Sequence, residues 1–128
     1  MPNRDVEILI VEDEALIAYD LADLLSEAGY RVRGPFASAE TALDAVRTSS
    51  PALALLDVNL GDGRTSEMVA EALVARGTPL VFVSGYNPAG SAVLRRFGDA
   101  PRISKPWDPK ELLAAVDRFA GRPAPVVN

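Results

Sequence analysis

Four places along the chain carry residues that could do chemistry: Glu12-Asp13, Asp57, Ser84 and Lys105. The first is the least expected. Three carboxylates, Glu12, Asp13 and Glu14, follow directly on the apolar run Val6–Val11, which reads as a buried strand. Acids at that place are either a solvated strand end or ligands for a cation. The sequence contains no histidine and no cysteine, which excludes a Ser-His-Asp triad, a thiol nucleophile, a thiolate or imidazole metal site, a disulfide framework and a phosphohistidine on this chain. What remains is oxygen-rich and nitrogen-poor, and such donor sets favour a hard cation such as Mg²⁺.

The elements that must position these residues alternate. Strand patterns fall at Val6–Val11, Tyr30–Gly34, Leu53–Asp57, Leu80–Ser84 and Arg102–Ser104. Between them apolar residues recur at helical spacing: Ile17, Leu21, Leu24, Leu25 and Ala28, then Ala39, Ala42, Leu43 and Val46, then Val69, Ala72 and Leu73. The fourth helix is short, Ser91–Phe97, delayed by Asn87-Pro88-Ala89-Gly90. The last carries Leu112, Val116 and Phe119, with Asp108 as N-cap, Pro109 at the first helical position and Glu111 in the pattern of a capping box. Strict β/α alternation predicts a parallel sheet with right-handed crossovers and helices on both faces. The near-continuous apolar runs at Leu53–Leu56 and Leu80–Val83 suit central strands.

In an open α/β sheet the functional groups collect beyond the carboxyl ends of the strands. Four of the five ends here carry a charge or a hydroxyl, and only the second, at Gly34-Pro35, does not. If the first and third strands are neighbours, Glu12, Asp13 and Asp57 converge. Two unit charges ~4 Å apart cost about 4 kcal/mol at an effective dielectric of ~20, so three carboxylates require compensation. A divalent cation with Lys105 supplies it, and a site balanced in this way suits an incoming phosphoryl group.

The remaining sequence sets bounds. A 128-residue chain with 48% apolar and 24% charged residues reads as one domain with a core of its own. A net charge of −5 without a basic cluster argues against DNA, and no apolar stretch or leader points to a membrane, so a cytoplasmic protein is expected. Residues 121–128 read as a flexible C-terminal tail, and the Met1 start is taken as that of a complete chain without an output domain.

The motifs "ILIVEDEALIA", "LALLDVNLGDG", "PLVFVSGYN" and "ISKPWDPKEL", in this order and spacing, resemble the receiver domain of bacterial two-component response regulators over residues 1–120. The segments "FVSGY" and "RRFGDAPRISKPWDPKEL" resemble its FATGUY-type subgroup. The resemblance implies a flavodoxin-like (βα)5 doubly wound sheet with parallel strands in the order 2-1-3-4-5. It implies Asp57 as acceptor of a phosphoryl group, Asp13 and Glu12 as Mg²⁺ ligands, and Asn59 as donor of a backbone carbonyl to the metal. Lys105 would pair with Asp57 and then with the phosphoryl group, aimed by a cis Lys105-Pro106 bond, and Ser84 would swing inward beside an open Gly85. Implied partners are a histidine kinase or histidine phosphotransferase and a downstream protein, with a homodimer as a further state.

One departure stands out: Arg102 occupies the place, three before Lys105, where many receivers have Tyr or Phe, which leaves Tyr86 as the aromatic of the switch loop Ser84–Gly90. Arg102 is expected to meet an acid or water, Trp107 to pack under the last helix, Glu14 to be the first-turn acid of the first helix, and Asp62 to sit in a turn. Rival readings are a receiver-like module that binds constitutively, a haloacid-dehalogenase-like phosphohydrolase, and a flavodoxin-like nucleotide or flavin binder. The second needs Asp-x-Asp after the first strand, and the third a phosphate loop that "EDEA" does not provide.

Overall fold

In a computed structural model, residues 5–85 and 91–120 are described. They form β1 (Glu7–Val11), α1 (Ala15–Glu27), β2 (Arg31–Phe36), α2 (Ala39–Thr48), β3 (Leu53–Leu56), α3 (Glu67–Ala75), β4 (Leu80–Ser84), α4 (Ser91–Arg96), β5 (Arg102–Ser104) and α5 (Pro109–Phe119). The sheet is parallel throughout, in the order β2-β1-β3-β4-β5. β1 and β3 are therefore neighbours, which is the condition for Glu12, Asp13 and Asp57 to meet. Among the described residues no helix is long and apolar enough to cross a membrane.

Side-chain alternation along the strands builds two cores. Leu9, Val11, Ala54, Leu56, Leu80 and Phe82 face α2, α3 and α4. Ile8, Ile10, Leu53, Leu55, Val81 and Val83 face α1 and α5. Burial on both faces explains why β1, β3 and β4 read as continuous apolar runs rather than as alternating ones. The short α4 is held by Val93 and Phe97, whose ring lies 6.1 Å from that of Phe82, a contact worth about 1 kcal/mol beyond burial. On the opposite face the Tyr30 hydroxyl donates to Asp117 and ties the approach to β2 to α5; burial first, and then Asp117, push that phenol up to about 12.

Helix starts follow their local chemistry. Ser38 caps α2 by accepting from the Thr41 N–H at 3.3 Å, and Asp108 caps α5 by accepting from the Lys110 N–H at 2.9 Å. Glu14 is the N-cap residue of α1, one position before the first turn in which it is expected, and its side chain makes no cap bond. Its N–H donates instead to Glu12 Oε2 at 3.1 Å, so a buried acid from the strand end closes the helix start and meets the positive end of the macrodipole.

The second strand differs from expectation. It continues through Gly34-Pro35 to Phe36, with a register shift in which Leu9 pairs with Arg33 but Val11 pairs with Phe36. Gly34 adopts φ +101°, which disfavours any other residue, and Gly34-Pro35 is cis, as is the expected Lys105-Pro106. The extra residue carries the Phe36 carbonyl to the Glu12 N–H, 2.9 Å away. A methyl group at Gly34 would lie 2.8 Å from the Phe36 ring, 2.9 Å from its backbone nitrogen and 3.0 Å from the Ile10 carbonyl oxygen. Gly77 also has a positive φ, +73°, but a methyl group there would meet nothing within 4 Å. Urea denaturation is expected to show Gly77→Ala losing about 1 kcal/mol and Gly34→Ala more than about 3 kcal/mol. Equal losses would remove the steric account of the bulge.

Candidate functional site

Glu12, Asp13 and Asp57 each stand one or two positions beyond an apolar strand. The Asp57 N–H donates to the Val11 carbonyl at 2.9 Å and the Lys105 N–H to the Ser84 carbonyl at 3.0 Å, so the ladder extends into the residues that bear the functional groups. Glu12 is only 2% exposed and Asp57 7%, while Asp13 is exposed and Asn59 half-buried. Glu12, Asp13 and Asp57 each offer a carboxylate oxygen, and these three atoms lie within 4.8 Å of one another. Lys105 spans two of them: its Nζ is 2.5 Å from Glu12 Oε1 and 3.2 Å from Asp57 Oδ2. A cleft of about 340 Å³ opens beside them, lined by Asp13, Glu14, Asp57, Asn59, Gly61, Gly85 and Lys105.

The electrostatics are those of a site short of positive charge. Burial, followed by the neighbouring Glu12 carboxylate, pushes Asp57 up to about 7 against the opposing pull of Lys105. Burial lowers the Lys105 ammonium, but pairing with Glu12 and Asp57 outweighs it and the net shift is upward. One ammonium against three carboxylates leaves a formal excess of two negative charges when all are ionised, which a hard divalent cation matches in charge and in donor type. The residues therefore fit Mg²⁺.

The Ser84 hydroxyl completes the picture. It is 2% exposed at the end of β4 and its Oγ has no hydrogen-bond partner among the described residues, a costly state that a polar visitor would relieve.

A family model for the response regulator receiver domain matches residues 8–117. The chain belongs to that family. It is 35% identical over 117 residues to the phyllosphere-induced regulator PhyR of Methylorubrum extorquens, covering 88% of this chain and 42% of PhyR. It is 28% identical over 125 residues to the transcriptional regulatory protein PdtaR of Mycobacterium tuberculosis, covering 95% of this chain and 58% of PdtaR. The chain thus spans about half the length of these curated relatives. Among solved structures, SdrG from Sphingomonas melonis Fr1 superposes with a TM-score of 0.77 at 38% identity, over 89% of this chain and 95% of SdrG.

The other residues singled out in this receiver take varied places. Asp62 lies in a turn with φ +52°. Arg102 is exposed and makes no ion pair among the described residues, which leaves it to solvent. Trp107 is half-buried against the α1/α5 core, as expected, and also lines a groove toward α1. Tyr86 and the tail 121–128 lie outside the described residues.

Two contributors carry no charge pattern by which they could be noticed. Gly61, at φ +83°, would bring a methyl group to 3.4 Å from Asp13 Oδ2. The Phe36 carbonyl holds the Glu12 backbone from a strand end without functional groups, and the sole hint of it is the Gly34-Pro35 pair, read as a terminus.

Because the Asp57 pKa rises on folding, from 3.8 to about 7, the unfolded chain gives up this proton at a lower pH than the folded one. Stability from the neutral carboxyl is full below pH ~4 and is lost as pH rises through ~7. Asp57→Asn escapes that loss. Urea denaturation should find it more stable than wild type by about 2 kcal/mol at pH 8, with the gap closing toward pH 4.5. A gap independent of pH would contradict the assignment.

Proposed function

We propose that this receiver is a phosphoacceptor in a two-component or phosphorelay pathway. The observation that carries the reading is the Lys105 ammonium 3.2 Å from Asp57, beside two further carboxylates. Asp57 is the nucleophile. Its carboxylate oxygen attacks phosphorus, an O–P bond forms as the P–N bond to a partner's histidine breaks, and the electron pair returns to the imidazole nitrogen. No general base is needed, since the attacking group has no proton to lose once ionised. Positive charge near Asp57 favours that ionised form against the burial that raises its pKa.

Glu12, Asp13, Asp57 and the carbonyl of Asn59 would hold Mg²⁺, which when bound supplies charge neutralisation to the transferring phosphoryl oxygens. Lys105 exchanges its Glu12 and Asp57 pairings for one phosphoryl oxygen. Ser84 donates its otherwise unpartnered hydroxyl to another, and the hydrogen bond formed there pulls on the segment that follows β4. Gly85 lines the cleft, and a methyl group there would meet nothing within 4 Å, in keeping with an open approach to Asp57. The donor in this reading is a histidine kinase or histidine phosphotransferase, and the product is a changed protein–protein contact. The "FVSGY" motif supports the FATGUY-type subgroup.

Intact mass spectrometry after incubation with acetyl phosphate tests it. One phosphoryl adduct is expected with Mg²⁺, none with EDTA, and none in Asp57→Asn. Lys105→Ala should accumulate the adduct at least tenfold more slowly, the scale seen when one preorganised charge is removed from a transfer site. An adduct that survives Asp57→Asn would move the acceptor elsewhere. No adduct together with no Mg²⁺ binding would favour a constitutive binding module.

A further inference from the structure

The end of β2 carries no charge and no hydroxyl, yet it reaches the acidic cluster through its backbone. From Leu9 to Val11 β1 advances two residues, while its partner β2 advances three, from Arg33 to Phe36. The extra residue brings the Phe36 carbonyl to 2.9 Å from the Glu12 N–H. On the other side of β1 the tie to β3 is made one residue sooner, by the Asp57 N–H donating to the Val11 carbonyl. Glu12 thus leaves the sheet with its N–H held from β2.

That hold matters because the Glu12 side chain has little freedom of its own. It is almost fully buried, its Oε2 accepts from the Glu14 N–H, and its Oε1 faces the Lys105 ammonium. A carboxylate bound at both oxygens follows its backbone. Any shift of the Glu12 Cα therefore changes the spacing of a ligand set whose three oxygens lie within 4.8 Å of one another. Metal ligation tolerates errors of only about 0.2 Å in such distances.

What fixes the carbonyl is the Phe36 ring. It packs, half-buried, against the core on the α2, α3 and α4 face. Its neighbours offer no comparable anchor, since Gly34 has no side chain and Ala37 is exposed. Ring and carbonyl belong to one residue, so packing on one face of the sheet sets the place of an acid at its edge.

We propose that Phe36 is a positioning residue of the acidic site: its ring, packed against the core, holds its carbonyl on the Glu12 N–H and so sets the affinity of the Glu12–Asp13–Asp57 cluster for Mg²⁺. The proposal rests on the Mg²⁺ reading of that cluster, and it holds whatever group Asp57 accepts. Partners that orient a ligand without touching the metal typically change metal affinity by ~10–100-fold when they are lost.

Calorimetric titration with magnesium chloride, with no phosphodonor present, tests it. Phe36→Ala is expected to raise the Mg²⁺ dissociation constant about tenfold or more, and Phe36→Leu, which keeps an apolar anchor, to restore most of the affinity. Phe36→Val is the gentler truncation to use if Phe36→Ala does not fold. Phe119→Ala removes a half-buried ring from the opposite core, at the far end of α5 from Lys105, and should leave the affinity unchanged. That control separates positioning from a general loss of stability. Hydrogen exchange of the Glu12 N–H should quicken in the Phe36 truncation while that of the Asp57 N–H stays slow.

An unchanged dissociation constant in the Phe36 truncation, an equal loss in Phe119→Ala, no recovery in Phe36→Leu, or unchanged exchange at Glu12 would overturn the positioning role. If a Mg²⁺-dependent adduct on Asp57 still formed, the phosphoacceptor reading would stand without it. No Mg²⁺ binding by the wild type would remove the metal site and the proposal together. Weakened Mg²⁺ binding in the truncation, with no phosphoryl adduct on the wild type, would support the positioning role and remove the phosphoacceptor reading.

Discussion

Everything at the carboxyl edge of this sheet depends on one balance, between the acids that β1 and β3 bring together and the ammonium that faces them. Glu12 and Asp57 are almost fully buried, and Lys105 contacts both. Without it, two carboxylates would share a poorly hydrated site, a repulsion of several kcal/mol at separations of about 4 Å. With it, the site still tends toward protonation of Asp57, as its raised pKa records. Added positive charge at this site would oppose that protonation, which is why a hard divalent cation fits it.

The scaffold meets that demand by fixing backbone rather than side chains. Glu12 is bound at both ends: its N–H by the Phe36 carbonyl and its Oε2 by the Glu14 N–H. Asp57 and Lys105 are each held through a backbone hydrogen bond to the adjacent strand. The two cores then lock β1, β3 and β4 from both faces. Small displacements of the site therefore require the ladder itself to move, which close-packed interiors resist.

The β4 end stands apart from this rigidity. Ser84 is buried, its hydroxyl has no partner among the described residues, and the next described element, α4, has six residues, with Val93 and the following Phe97 as its buried anchors. Arg96 adds ion pairs to Glu67 and Glu71 of α3, but these lie at the surface, where such pairs contribute little. Local openings are drawn from segments with few buried side chains, and α4 is one of them.

Period and composition determined much of this protein on their own. Alternating β and α patterns favour a parallel sheet, because a crossover helix returns the chain to start the next strand in the same direction, and the continuous apolar runs at Leu53–Leu56 and Leu80–Val83 mark strands covered on both faces. The absence of His and Cys, with acids after β1 and β3, narrows the chemistry to oxygen ligands. Tertiary structure alone decided the rest. The bulge at Gly34 and the Phe36 carbonyl on Glu12 depend on pairing between strands, and a carbonyl has no signature in a residue string. Lys105, expected as a partner of Asp57, pairs with it and bridges to Glu12 as well. That bridge, the unpartnered Ser84 hydroxyl and the groove between Ile17 and Trp107 are all distances across the fold. Sequence sets which side chains face inward at each period, whereas only the packed chain sets which of them meet.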